Sequence, residues 1–212
     1  LVEDVVAKNR PALVAFQTDR QVGSGFLVTG KGLAITDASI ARMENVVAIY
    51  KGASFNIRVI MSDDETQIAI VELYERVDEG DMVEIAFTPL SLRKASADAI
   101  ALGEHIVAID ATHDVRIENG ITTRIESVLA DSDQNDETHD TTYLVHTDIM
   151  MPDSVNGGPL AGMNGSVVAM IMNNASDTVI GVSSDTIIHM LDIIAKEGVD
   201  AMLLQTTQTA SV

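Results

Sequence analysis

Short runs of apolar, largely β-branched residues recur along most of the chain, and they are separated by Gly, Asn and Asp. This spacing is typical of hairpins in an antiparallel barrel or sandwich. Because the runs do not alternate with long helical patterns, a parallel α/β sheet is excluded. The predicted strands cover residues 12–17, 25–29, 33–36, 46–50, 56–61, 68–73, 106–110, 121–129, 143–148, 166–172 and 179–182.

Two segments have helical patterns instead. A short helix is predicted at residues 2–9, before Pro11. A second is predicted at 185–196, with Ser184 or Asp185 as its N-cap and Gly198 beyond its end. One face of the second helix is apolar and the other polar. The apolar face comprises Ile187, Ile188, Leu191 and Ile194, and the polar face comprises Asp185, His189, Asp192 and Lys196.

The composition indicates which residue types form the core and which kinds of partner the chain binds. The chain is 46% hydrophobic but only 3% aromatic, so we expect a core of aliphatic residues and of the ten Met. A net charge of −19 argues against nucleic acid and anionic membrane surfaces, and favours metal ions and basic peptides. Cys is absent, and no apolar run approaches the roughly 20 residues that cross a bilayer.

Four stretches, at residues 3–14, 23–36, 64–70 and 147–165, carry motifs such as Asp64-Glu65-Thr66-Gln67-Ile68-Ala69-Ile70 and Asn156-Gly157-Gly158-Pro159-Leu160. In this order they resemble the protease domain of HtrA-type, trypsin-like serine proteases, and the resemblance covers about residues 1–198. It implies an all-β, chymotrypsin-like fold of two perpendicular six-stranded antiparallel barrels with short N-terminal and C-terminal helices. The first barrel would occupy 1–92, and the second, with the closing helix, 93–198. Residues 199–212 would be a linker or tail, in the place where the family usually continues to a PDZ module.

The same resemblance identifies the catalytic positions. The family's His follows a stretch like Thr36-Asp37-Ala38, which places Ser39 there. The family's Asp aligns with Gln67, and its nucleophile, which precedes Gly-Gly-Pro-Leu, aligns with Asn156. Acylation needs a hydroxyl, an imidazole base and an orienting carboxylate. Here a hydroxyl stands at the position of the imidazole, and amides stand at the positions of the carboxylate and of the nucleophile. None of the three groups can perform the role of its position, so the sequence predicts a pseudoprotease.

The loop that would form the oxyanion hole is also altered. Ser154 stands where the family has glycine, two residues before the nucleophile, and a side chain there disfavours the backbone geometry of the hole. Residual serine protease activity would need a new pairing of a hydroxyl such as Ser154 with His113 or His146. This is the less favoured alternative.

The leading functional hypothesis is a scaffold or regulator that binds a peptide or protein in the former substrate cleft by strand addition. It predicts an open cleft with an exposed strand edge beside residues 156–182. The resemblance adds active HtrA-type relatives as partners, a homo-oligomer formed through the N-terminal segment, and a periplasmic or other extracytoplasmic, membrane-associated location. We expect no nucleic acid partner and no membrane insertion by this segment.

The second hypothesis is a repurposed site for a divalent transition metal, although no cofactor is required. Imidazole and carboxylate ligands suit such ions. The candidate ligands are His189 with Asp185 and Asp192, His113 with Asp110, and His139 in an acidic loop. For the helix face and for the acidic loop, an ordinary solvated surface is the favoured alternative. The situation is similar in kind to the degenerate HtrA-like domains of magnetosome proteins of the MamO type.

Overall fold

The fold contains three α-helices and two sets of strands within the described residues. A computed structural model describes residues 1–19, 22–76, 86–94, 100–111, 116–129, 141–151, 155–172 and 177–198. The first half comprises α1 (Val2–Asn9), a 3-10 turn (Arg10–Ala12), β1 (Leu13–Gln17), β2 (Val22–Leu27), β3 (Leu33–Asp37), α2 (Ala38–Ala41), β4 (Val47–Tyr50), β5 (Ala53–Asp63) and β6 (Ile68–Arg76). The second comprises β7 (His105–Ile109), β8 (Ile117–Leu129), β9 (Thr141–Thr147), β10 (Pro159–Gly162), β11 (Val167–Ile171), β12 (Ile180–Ser183) and α3 (Ser184–Glu197).

The strands close into two antiparallel barrels. The first has the order β1-β2-β3-β6-β5-β4, and the second β10-β11-β12-β9-β8-β7. Closure pairs each strand on both sides and removes the free edges that an open sheet would leave. The predicted double six-stranded barrel with terminal helices is therefore confirmed. The division of the chain at residues 92 and 93 stays a prediction.

An apolar core joins the two barrels. The first barrel is filled by aliphatic side chains together with Phe16, Phe26 and Tyr50. The same cluster continues into β11, β12 and α3 through residues such as Met170 and Ile187. Because removing apolar surface from water is favourable, this shared cluster stabilises the packing of the two barrels on each other.

A connecting segment also ties the barrels by main-chain hydrogen bonds. The amide of Leu90 donates to Leu27 O in β2 at 2.8 Å. Three residues later, the amide of Arg93 donates to Val167 O at 2.8 Å, and the amide of Val167 donates to Ser91 O at 2.9 Å. The segment thus contacts both barrels within one short stretch.

The closing helix follows its predicted pattern, with a corrected start. The N-cap is Ser183, not Ser184 or Asp185, because Ser184 already lies in the first turn and its hydroxyl donates to Arg93 O. Ile187, Met190 and Ile194 are buried, whereas His189 and Asp192 are exposed. Gly198 has φ +84° just past the last turn, in the conformation that favours glycine.

Three further differences from the prediction have local causes. Strand β10 was not predicted, because its four residues include Pro159 and Gly162, which are typical of turns. Helix α2 is one turn long and gives no periodic signal. Met150 and Met163 are 68% and 41% exposed, so not every Met lies in the core. Within the described residues, no helix is long and apolar enough to span a membrane.

Candidate functional site

The first two positions that align with the triad come together where β3 ends and β6 begins. Asp37, the last residue of β3, pairs with Ile68, the first residue of β6. Ser39 follows in α2, and Gln67 immediately precedes β6. The amide of Ala38 donates to Gln67 O at 2.8 Å, which fixes the main chain of both positions at one point.

Asp37 holds Ser39 in place. Its carboxylate is only 1% exposed, and Oδ1 accepts hydrogen bonds from the Ser39 amide at 2.8 Å and from the Ser39 hydroxyl. Its other oxygen, Oδ2, is buried and has no hydrogen-bond partner among the described residues. The Ser39 hydroxyl is therefore a donor to a carboxylate. Sequence reasoning gave Asp37 no role, although an Asp just before a helical turn is a typical N-cap.

Gln67 occupies a left-handed backbone conformation with φ +58°. The preceding turn is held by Asp63, whose Oδ1 accepts from the Glu65 amide at 3.0 Å and whose Oδ2 accepts from the Thr66 hydroxyl at 2.8 Å. The Gln67 Oε1 atom is buried and has no hydrogen-bond partner in the part of the chain that the structure describes. An amide here leaves an unsatisfied acceptor close to a strained backbone position, which costs stability.

The loop around Asn156 packs against the end of the first barrel. Asn156 is half-buried, and its carbonyl accepts from the Ser24 amide of β2 at 3.1 Å. Gly157, at φ +85°, lies so close that a Cβ would stand 2.2 Å from Ser24 O and 2.8 Å from the Asp37 amide nitrogen. This contact places the Asn156 loop beside the Ser39 and Gln67 positions, which we call the cleft.

Asp110 forms a second tie across the cleft. It is fully buried, and its Oδ1 accepts from the Ser24 hydroxyl at 2.6 Å. The Ser24 oxygen in turn accepts from the Ala111 amide at 2.8 Å. Asp110 was predicted as a metal ligand with His113. Its carboxylate joins β2 to the residues after β7. His113 lies outside the described residues, so a metal site formed by Asp110 and His113 stays a prediction.

The other predicted metal ligands are spread along a solvent face of α3. In the described part of the chain, no group of three or more His, Asp or Glu side chains is placed to hold a metal ion. His189, Asp185 and Asp192 lie in that part. His139 and Ser154 lie outside it, so their roles stay predictions.

The two remaining imidazoles lie at the start of β7 and on the β8–β9 pair. His105 is exposed at the start of β7. The Nε2 atom of His146 is 2.9 Å from Glu126 Oε2 and 3.0 Å from Arg124 on the β8–β9 pair.

Among the described residues, the side chain of Ser39 has Asp37 as its only hydrogen-bond partner.

The expected strand edge beside residues 156–182 is not present in β10, β11 or β12. Each of these strands has a neighbour on both sides in the closed second barrel. The stretch 173–176 that follows β11 lies outside the described residues. An edge formed there stays a prediction.

Comparison with known proteins agrees with this architecture. No protein-family model matches the chain. It is 27% identical to serine protease HTRA1A of Danio rerio and 25% identical to serine protease HTRA1 of Xenopus tropicalis. It is 26% identical to serine protease HTRA3 of Homo sapiens. Each match covers 80% of this chain.

The matched part is about a third of each relative, 36% of the first, 37% of the second and 39% of the third. The match therefore does not extend to the activities, substrates or partners of the whole relatives. The sequence similarity over most of the chain and the two closed six-stranded barrels lead to the same conclusion. The chain is related to HtrA-type serine proteases and has the trypsin-like fold of their protease domain.

Proposed function

We propose that this chain is a proteolytically inactive relative of HtrA-type serine proteases that binds peptides or proteins as a scaffold or regulator. The observation that carries the proposal is the set of side chains at the cleft. Ser39, Gln67 and Asn156 stand at the positions that align with the His, Asp and Ser of the family. Their loops are joined by main-chain contacts, so the framework is retained while the reactive groups are replaced.

The chemistry of these groups supports inactivity. The Asn156 amide is not a nucleophile of useful strength, and Ser39 cannot take a proton as an imidazole does. The Ser39 hydroxyl is also held by the Asp37 carboxylate. Gln67 carries no charge that could stabilise an imidazolium at the position of Ser39.

The packing of the loops supports a preserved surface for binding. Gly157 lies against β2 and β3, and the buried hydrogen bond from Ser24 to Asp110 joins β2 to the residues after β7, so the loops at the three aligned positions are held in place. The net charge of −19 would attract basic segments and increase their rate of association.

The proposal is tested with two fluorescent peptides of equal length, one alternating Lys with apolar residues and one with Glu in place of Lys. We expect the basic peptide to bind more tightly and to be recovered intact by mass spectrometry after prolonged incubation. Asn156→Trp should weaken binding because it fills the cleft, and its folding is checked by thermal melting.

The matched control is Lys31→Trp, an exposed position in the β2–β3 turn, at the opposite end of β3 from Asp37. Cleaved peptide would contradict inactivity. Equal binding by the Asn156→Trp variant, or no binding of either peptide, would contradict a role for the cleft.

Metal binding stays a hypothesis that rests on the sequence. The candidates among the described residues are His189, Asp185 and Asp192 on α3, and Asp110 after β7. Its test is thermal melting with Zn²⁺ or Mn²⁺, because a ligand that binds only the folded state raises Tm. His189→Ala should remove such a rise if the hypothesis holds. His105→Ala, a change at another exposed imidazole, serves as the control.

The extracytoplasmic location, the homo-oligomer and the pairing with active HtrA-type relatives are proposals that rest on the resemblance. Light scattering coupled to size-exclusion chromatography tests the oligomer directly. A mass of one chain, 22.6 kDa, at micromolar concentration would contradict it.

A further inference from the structure

A pocket lies between the two barrels, beside the turn that leads to Gln67. Its volume is about 520 Å³, within the range of roughly 300–1,000 Å³ that small-molecule sites occupy. The first barrel contributes the end of β5 and the turn after it, and the second contributes β8, β9 and α3. We call it the inter-barrel pocket.

The walls of the inter-barrel pocket are mostly apolar. Met61 comes from β5, Met172 directly follows β11, and Met190 comes from α3, although these residues are far apart in sequence. Methionine side chains are flexible and polarisable, and they adapt to apolar ligands of varied shape. Val128 of β8, which is 41% exposed, also lines the pocket.

The titratable groups of the pocket are two carboxylates from the end of β5 and the following turn, and the imidazole of His189 from α3. Asp63 and Glu65 both line the pocket, and neither has an ion-pair partner among the described residues. The hydrogen bonds that Asp63 accepts come from the Glu65 amide and the Thr66 hydroxyl, so the negative charge is not neutralised. The nearby guanidinium of Arg42 pairs with Asp64, and it also donates to Ser62 at 3.1 Å.

From the apolar walls and the acidic side we infer that the inter-barrel pocket binds a small organic cation that has an apolar body and one ammonium group. The apolar body would fill the space among the Met side chains, and the ammonium would lie at Asp63 and Glu65. The net charge of −19 also favours a positively charged ligand. The inference is independent of peptide binding in the cleft, because the pocket shares none of Ser39, Gln67 and Asn156.

The test compares three probes with an identical eight-carbon chain: n-octylammonium, 1-octanol and octanoate. Binding is followed by NMR of ¹³C-methyl-labelled methionines in the whole chain at pH 8, where a primary ammonium is still charged. We expect octylammonium to bind with a Kd of about 1 mM, given its few heavy atoms. The methyl signals of Met61, Met172 and Met190 should move, whereas those of the exposed Met150 and Met163 should not.

Variants separate the charge from the apolar contact. Glu65→Gln should weaken octylammonium binding about two- to fivefold, as expected for an exposed charge pair, and should leave octanol binding unchanged. Glu44→Gln, at an exposed residue that does not line the pocket, is the matched control. Val128→Trp should block both probes, and because Val128 is partly exposed the variant should still fold.

Three results would overturn the inference. The first is that octanol or octanoate binds as tightly as octylammonium. The second is that the shifts appear at Met150 or Met163 instead of at the pocket methionines. The third is that no probe binds at concentrations several times the expected Kd.

Discussion

Replacing Gly157 by Ala tests whether the Asn156 loop packs against the first barrel as described. An added Cβ would stand 2.2 Å from Ser24 O and 2.8 Å from both the Asp37 amide nitrogen and the Thr36 hydroxyl oxygen. Two of these atoms belong to the main chain, so they cannot move aside as the end of a flexible side chain would. The residue also has φ +85°, in the region that L-residues rarely adopt.

The cost can be worked out in two parts. Holding alanine in a left-handed conformation costs about 1–2 kcal/mol. Forcing a methyl group into a filled space costs about 1–3 kcal/mol more. We therefore expect Gly157→Ala to lower the free energy of unfolding by about 2–5 kcal/mol.

Gly52 provides the matched control because it shares the conformation without the contact. Its φ is +78°, and nothing lies within 4 Å of an added Cβ. Gly52→Ala should therefore cost only the conformational part, about 1–2 kcal/mol. Both variants are measured by urea unfolding, with the m-value checked for constancy. If Gly157→Ala costs no more than Gly52→Ala, the close packing of the Asn156 loop on Ser24 and Asp37 is refuted.

Three other perturbations probe the tie, the cap and the charge. Ser24→Ala removes the hydroxyl that donates to Asp110 Oδ1 and accepts from the Ala111 amide. It should lower the free energy of unfolding in urea by about 1–3 kcal/mol. A change below about 0.5 kcal/mol would contradict a structural role for this hydroxyl. Asp37→Ala removes the cap of α2 and should cost about 0.5–2 kcal/mol, more than Ser39→Ala, which keeps the amide hydrogen bond; the reverse order would contradict the assignment. Raising NaCl from about 0.01 to about 1 M shortens the Debye length from about 30 to about 3 Å. It should raise Tm because it screens the repulsion within a chain of charge −19; a fall would contradict this reasoning.

The apolar runs predicted an antiparallel barrel or sandwich, and only the order of the HtrA-like motifs narrowed this to two six-stranded barrels. In the structure, neighbouring runs do pair, as in β1–β2 and β5–β6. Strand β10 was missed because Pro159 and Gly162 have turn-like propensities, and tertiary pairing with β7 and β11 overrides them. The N-cap of α3 was displaced by one residue because consecutive serines, Ser183 and Ser184, carry equal capping signals.

The contacts that build the site could not be read from sequence. Ser24 and Asp110 are 86 positions apart, and nothing in either segment indicates that they meet. The inter-barrel pocket could not be predicted from the sequence either, because its methionines lie in β5, directly after β11 and in α3. Positions such as Asn156 were identified only because a linear motif, Asn-Gly-Gly-Pro-Leu, marks them.

The most direct test of the central claim, loss of proteolysis through replaced side chains on a retained framework, is labelling by a fluorophosphonate probe. The natural chain is compared with a variant that carries Ser39→His, Gln67→Asp, Asn156→Ser and Ser154→Gly. We predict no labelling and no casein cleavage by the natural chain, and labelling of the restored variant at position 156. Labelling of the natural chain would contradict the claim, and mass spectrometry of the modified peptide would identify the hydroxyl that reacts.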